Sequence, residues 1–322
     1  MENTGEPTPA AGQKGQMVVG LLTGGDIKKV VGRCRELDVD HVTLAVGNMP
    51  RTKETGAPVL PAMREYHEKL ADEGITVSAW NQKGHLGRDP DIMLNPSAHR
   101  ERIDAALRTI EVQGQLGIDT QLHYVGVPQP ADPAEDEAYW EGLLSIFREL
   151  VAQAEASKVK IANHGIWRAL SDDIRDDALA SGLTADGYRH YHNPMFGGPF
   201  LVRAAEHIRR LIEEVPSDYH GVTMCTGMYI HGADPVEEIG RFKGKIHFVQ
   251  IRDLVGRWPK SQEVFPGTGE LDFRVIIQAL HDSGYRGFMH PEHLGQPRFP
   301  GEDLEQVATW LVKRWVNDVQ TE

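Results

Sequence analysis

Cysteine is nearly absent. Of 322 residues only Cys34 and Cys225 carry a thiol, too few for a disulfide framework and in keeping with a reducing compartment. No apolar run approaches the ~18 residues that span a bilayer, and the first residues lack the basic and apolar regions of a secretory signal. A cytoplasmic protein is therefore expected. Positive charge is in deficit: 34 Lys and Arg face 47 Asp and Glu, a net charge of −13. A surface of that sign repels phosphate backbones and anionic lipid, so nucleic acid and membranes are not expected partners. Glycine-rich phosphate loops of the GxGxxG or GxxxxGK[ST] type are missing as well, which weighs against a nucleotide-binding open sheet. Histidine is the residue in excess, with 15 copies.

Hydrophobic residues make up 40% of the chain, enough for a substantial core, whereas residues 1–15 are rich in Pro, Gly and Thr and read as a disordered leader. Residues 16–322 read as one domain. Short β-branched runs (17–22, 41–46, 75–80, 120–125, 159–163, 221–224, 246–251, 287–289) alternate with stretches of helical spacing (27–37, 62–73, 99–116, 139–157, 201–215, 235–242, 274–283, 303–316). In the third such stretch Ile103, Ala106, Leu107, Ile110 and Leu116 form one stripe, with Arg100, Glu101, Asp104, Arg108 and Glu111 opposite. Eight strand-then-helix units predict an α/β fold closed as a (β/α)8 TIM barrel, with a doubly wound open sheet as the alternative. The segment 166–199, between the fifth strand and its helix, far exceeds the usual βα loop of about 2–6 residues and is expected to form a lid.

A barrel carries its chemistry at the C-terminal ends of its strands. Assigned to those ends are His164 in strand five, Cys225 in strand six, His247 in strand seven and Glu292 in strand eight. Imidazole, thiolate and carboxylate together suit one divalent metal. Taken singly, each reads as ordinary packing: a hydrogen-bonded core histidine, a small buried cysteine, a rim charge. Burying all four without a cation would leave an uncompensated carboxylate, so their joint occurrence points to a metal. The set has no local signature such as HExxH or CxxC, and its convergence depends on barrel closure. Trp80, His85, His123 and Tyr124 are expected in the barrel mouth as substrate contacts.

The run Gly221-Val-Thr-Met-Cys225-Thr-Gly227 resembles the G-[LI]-T-x-C-T-G segment of mannonate dehydratases. Ile246-His247-Phe-Val-Gln250-Ile-Arg252-Asp253 resembles their I-H-F-V-H-x-R-N strand, and Pro291-Glu292-His293 their R-P-D-H-G. The run Gly267-Thr-Gly-Glu-Leu-Asp272-Phe273 is similar instead to the wider xylose-isomerase-like superfamily of sugar isomerases and epimerases.

The resemblance implies a divalent-metal barrel, usually with manganese, acting on a sugar acid; iron, cobalt, magnesium or zinc suit the same donors. Carried over, the metal ligands fall on His164, Cys225, His247 and, with Asp replaced by Glu, on Glu292. The catalytic histidine falls on His293 and the strand-seven arginine on Arg252. Gln250 stands for the second strand-seven histidine, and His290 for the arginine before Pro-Asp-His. The family's H-P-D-D-P-P has become His164-Gly165-Ile-Trp167-Arg168. Trp167, Gln250 and His290 are assigned to substrate binding. The family's catalytic tyrosine segment has no counterpart in 296–304.

Three functional readings follow. The first is metal-dependent dehydration of a sugar acid, with His293 moving a proton and Arg252 orienting a carboxylate. The second is isomerisation or epimerisation of a ketose or keto-sugar. The third is a non-catalytic sugar-binding barrel. Each takes a small-molecule sugar or sugar acid, and a homo-oligomer is expected.

Overall fold

The computed structural model describes residues 15–45, 57–82, 91–125, 127, 133–165, 201–202, 204–257, 261–295 and 301–321. Except for Gly15, the expected leader lies outside the described residues, as do the expected lid at 166–199, His85 and Trp167.

Helix α1 (Ile27–Leu37) shows how local sequence sets an element. The Asp26 carboxylate accepts the Lys29 N–H at 3.1 Å, and Val30, Val31, Cys34 and Leu37 form its buried stripe. The chain leaves the helix at Asp38, whose φ of 51° turns its N–H back onto the Arg35 and Cys34 carbonyls. Among the described residues the remaining α-helices are α2 (Leu60–Asp72), α3 (Asp91–Leu94), α4 (Arg100–Gln115), α5 (Asp136–Ser157), α6 (Ala205–Glu214), α7 (Pro235–Arg241), α8 (Phe273–Asp282) and α9 (Leu304–Thr321). On α5, Trp140 and Phe147 are buried; a large apolar side chain fully withdrawn from water contributes roughly 1.5–3 kcal/mol.

The barrel strands are β1 (Val18–Val19), β2 (Leu21–Thr23), β3 (His41–Ala45), β4 (Thr76–Gln82), β5 (Thr120–Tyr124), β6 (Lys160–His164), β7 (His220–Cys225), β8 (Ile246–Ile251) and β11 (Phe288–Pro291), in the order β1-β11-β8-β7-β6-β5-β4-β3-β2. All of these pairs are parallel. β1 and β2 are two halves of a single first strand, interrupted at Gly20. One half pairs with the last strand and the other with the second, so the sheet closes on itself as a (β/α)8 barrel. A Cβ on Gly20 would lie 2.0 Å from the His41 carbonyl oxygen, so glycine is required at this seam. Outside the barrel stands a short antiparallel ribbon of β9 (Asp253–Val255) and β10 (Gln262–Val264), which the alternating sequence pattern does not announce.

Side chains fill the barrel in layers. His41 and His247 line a floor cavity of about 660 Å³ at the N-terminal end, together with Lys160. Above it Ala79, Leu122, Ala162, Phe248 and Phe288 form an apolar plug. The polar residues of the C-terminal end rest on that plug.

Candidate metal centre

β6 ends at His164, β7 ends at Cys225, and Glu292 follows β11 directly. One ligand atom from each of these three residues lies within 4.8 Å of the others. His164 Nδ1 is hydrogen-bonded to the Gly165 carbonyl, which places the ring proton on Nδ1 and leaves the Nε2 lone pair for ligation. The Tyr124 ring lies against the His164 imidazole, with centroids 4.8 Å apart. The Cys225 thiol donates to Glu292 Oε1 at 3.6 Å, and the Gln250 amide donates to Glu292 Oε2 at 2.8 Å. The other amide atom, Gln250 Oε1, is buried without a hydrogen-bond partner.

Burial pushes the Cys225 thiol up to about 12, with the Glu292 charge adding to the shift. Burial likewise holds His164 down at about 4, against the pull of Glu292. For Glu292 burial opposes ionisation, yet His293, His290 and Arg252 keep its carboxyl below the usual range. A neutral imidazole, a thiol beside a carboxylate and an orphaned amide oxygen make a donor set that a divalent cation fits, since a coordinating thiol gives up its proton.

The Cys225-Thr-Gly motif acquires a physical reading here. The Thr226 hydroxyl accepts the Arg252 N–H at 2.7 Å and donates to the Arg252 carbonyl at 2.6 Å. Gly227 leaves room, because a Cβ there would lie 2.9 Å from Arg252 Cδ and 3.1 Å from Cys225 Sγ. The Arg252 guanidinium, with a side chain only 5% exposed, is paired through Nη2 with Glu263 of β10. The other oxygen of Glu263 lies 3.0 Å from His293 Nδ1, and His293 adopts a left-handed φ of 51°.

Other expected site residues are distributed unevenly. His247 is the second residue of β8, at the N-terminal end of the barrel; a Cβ on Gly221 would lie 2.5 Å from its Nε2. It lines the floor cavity, below the apolar plug, and does not join Cys225. Burial, with Lys160 and Lys245 adding, holds it at about 3. Gln250, further along the same strand, takes its place beside Glu292.

Trp80 also departs from expectation. Its neighbours Ala79 and Asn81 take the inward positions, while Trp80 points outward and donates to His67 of α2 at 3.3 Å. His123 packs outward against Phe147 of α5, with ring centroids 5.5 Å apart. Tyr124, Gln250 and His290 face the barrel interior; the His290 ring lies 5.6 Å from that of Phe248.

One contributor, Glu263, escaped the sequence reading, and a second, Asp253, was read there only as part of the strand-seven run. Glu263 lies on the unanticipated ribbon, and its only signal was the need of the buried Arg252 for a counter-ion. Asp253 accepts the N–H groups of Leu254, Gly267 and Gly269 at 2.9, 2.9 and 2.8 Å, and Asp272 caps α8 through Arg274 N. The Gly267–Phe273 run is thus scaffold: it fixes the chain between the ribbon and α8.

A family model described as Xylose isomerase-like TIM barrel matches residues 31–314. The chain belongs to that family. This xylose isomerase-like barrel is 29% identical over 197 residues to the mannonate dehydratase of Thermotoga neapolitana, a match covering 56% of this chain and 48% of the relative. The match thus spans about half the length of that curated relative. Among solved structures, a mannonate dehydratase from Streptococcus suis superposes with a TM-score of 0.71 at 15% identity, covering 95% of both chains. A D-psicose 3-epimerase from Clostridium cellulolyticum superposes with a TM-score of 0.62 at 15% identity, covering 95% of this chain and 99% of the other. At these identities the structural likeness is one of fold.

Proposed function

We propose that the protein is a divalent-metal-dependent lyase that dehydrates a sugar acid, with His164, Cys225, Glu292 and the Gln250 amide oxygen holding the metal. Manganese is the metal proposed. The observation that carries this reading is the convergence of three ligand atoms within 4.8 Å at the C-terminal end of the barrel. The mannonate dehydratase relatives supply the reaction class. A divalent cation there supplies Lewis acidity, favouring negative charge on a substrate oxygen while a neighbouring C–H is lost. His293 stands beside Glu292 and moves the proton, a contribution of about 10²–10⁴-fold in rate. Tyr124 offers a ring face to the sugar, and His290 and Gln250 line the buried side of the same space.

A second reading, isomerisation or epimerisation of a neutral ketose, is favoured by one observation. The Arg252 guanidinium already has Glu263 as its counter-ion, which makes it a poorer clamp for a substrate carboxylate. Both reactions begin with proton removal beside a carbonyl or carboxylate, and they differ in whether water leaves. Incubation of manganese-loaded protein with a panel of aldonates and ketoses, followed by mass spectrometry, separates them. Loss of one water from an aldonate supports the lyase. Interconversion of ketoses at constant mass supports the alternative, and no conversion of either class rejects both.

A further inference from the structure

The β9–β10 ribbon sets Glu263 between two residues of the proposed site. Register pairs Glu263 with Leu254 and Val264 with Asp253, and the Asp253 carboxylate is tied to the Gly267 and Gly269 N–H groups. The ribbon is therefore held at fixed height over the strand ends. Its other side touches the turn after Glu292: a Cβ on Gly295 would lie 3.3 Å from the Glu263 carbonyl oxygen and from Val264 Cα. Between these contacts the Glu263 carboxylate engages Arg252 through Oε1 and His293 Nδ1 through Oε2.

We propose that Glu263 is the positioning residue of this site, holding His293 in the tautomer that carries its proton on Nδ1 and presents Nε2 for proton transfer. The inference rests on the reading that His293 moves the substrate proton. An ionised carboxylate only accepts hydrogen bonds, so the group facing it on His293 is N–H. The buried Arg252 guanidinium is always charged and has Glu263 as its counter-ion, so removing either partner would leave a charge unpaired. Arg252 therefore acts on His293 through Glu263. This is a base oriented by a third group, the arrangement that fixes which nitrogen reacts.

The test uses the full chain with isotope-labelled histidine, read by long-range proton–nitrogen correlation with the pH held at about 8 for every variant. His293→Gln identifies the His293 signals by their loss. The wild type is expected to carry the proton on Nδ1. Glu263→Gln is expected to shift His293 toward the Nε2–H form and to lower kcat by about 10²–10⁴-fold with KM changed less than about 2-fold. Glu270→Gln, at the surface pair with Arg257, is expected to leave both readouts unchanged. A proton on Nε2 in the wild type, or an unaltered tautomer in Glu263→Gln, overturns the proposal; the first measurement stands even if the variant does not fold. Wild-type turnover by His293→Gln overturns the proton-transfer reading and the proposal with it. An inactive His293→Gln combined with the Nε2–H form in the wild type overturns the role of Glu263 alone.

Discussion

The Gln250 side-chain amide donates to Oε2 of Glu292 at 2.8 Å, whereas His247 on the same strand lines the opposite end of the barrel. His247 and the ligands at the other end therefore make opposite predictions for metal content. His247→Ala is expected to retain stoichiometric manganese after soaking and dialysis. Glu292→Gln and Cys225→Ala are expected to weaken binding by more than about 100-fold, beyond the usual cost of losing an outer-shell partner. Elemental analysis of the three variants beside the wild type checks this. Loss of metal in His247→Ala alone would contradict the arrangement.

Stability carries a second expectation. A Cβ on Gly269 would lie 2.3 Å from Asp253 Oδ1 and 2.6 Å from the Leu254 carbonyl oxygen. Gly269→Ala is thus expected to destabilise the protein by about 1–3 kcal/mol, as overpacking does. Gly240→Ala, on α7 with open space around its Cβ position, is expected to be neutral or slightly stabilising. Thermal unfolding of the pair decides between them, and equal melting temperatures would remove the anchoring role given to Gly269.

Acid sensitivity follows from the buried histidines away from the metal centre. Burial holds His67, His123 and His220 at about 4 and His247 at about 3, against 6.5 when unperturbed. Between those values the unfolded chain binds more protons, so stability is full above 6.5 and falls as the pH drops toward 4. Asp303, held at about 2 chiefly by Arg33, adds a loss only below its ordinary value of 3.8. Denaturant midpoints measured from neutral pH down to about 4 are expected to decrease steadily. A flat profile across that range would contradict the depressed values.

The barrel was legible because its strands and helices carry different periods. α1 and β8 fall on the residues that the sequence pattern assigns to them, and other boundaries shift by a few residues at capped or frayed ends. Side-chain direction was harder to read. Trp80 and His123 are each one residue out of phase with Asn81 and Tyr124, and a shift of one turns a strand residue from the interior to the helix layer. For His247 the error was one of height. At about 3.3 Å per residue, a position three residues before Gln250 lies about 10 Å lower in the barrel. Pairing of β7 with β8 is also irregular there, with Val222 opposite Ile246 and Thr223 opposite Phe248. Glu263 was hidden for another reason: a three-residue ribbon strand is too short for periodicity to register.

The seam at Gly20 links assembly of the centre to completion of the sheet. Its two half-strands bridge β3 and β11, and Glu292 directly follows β11. Until that last strand docks, His164 and Cys225 have no carboxylate opposite them and the apolar plug lacks Phe288. Docking of β11 on β8 brings Glu292 to His164 and Cys225, and pairing of the same strand with β1 closes the cylinder, so a cation bound there would tie the strand that completes the wall to β6 and β7.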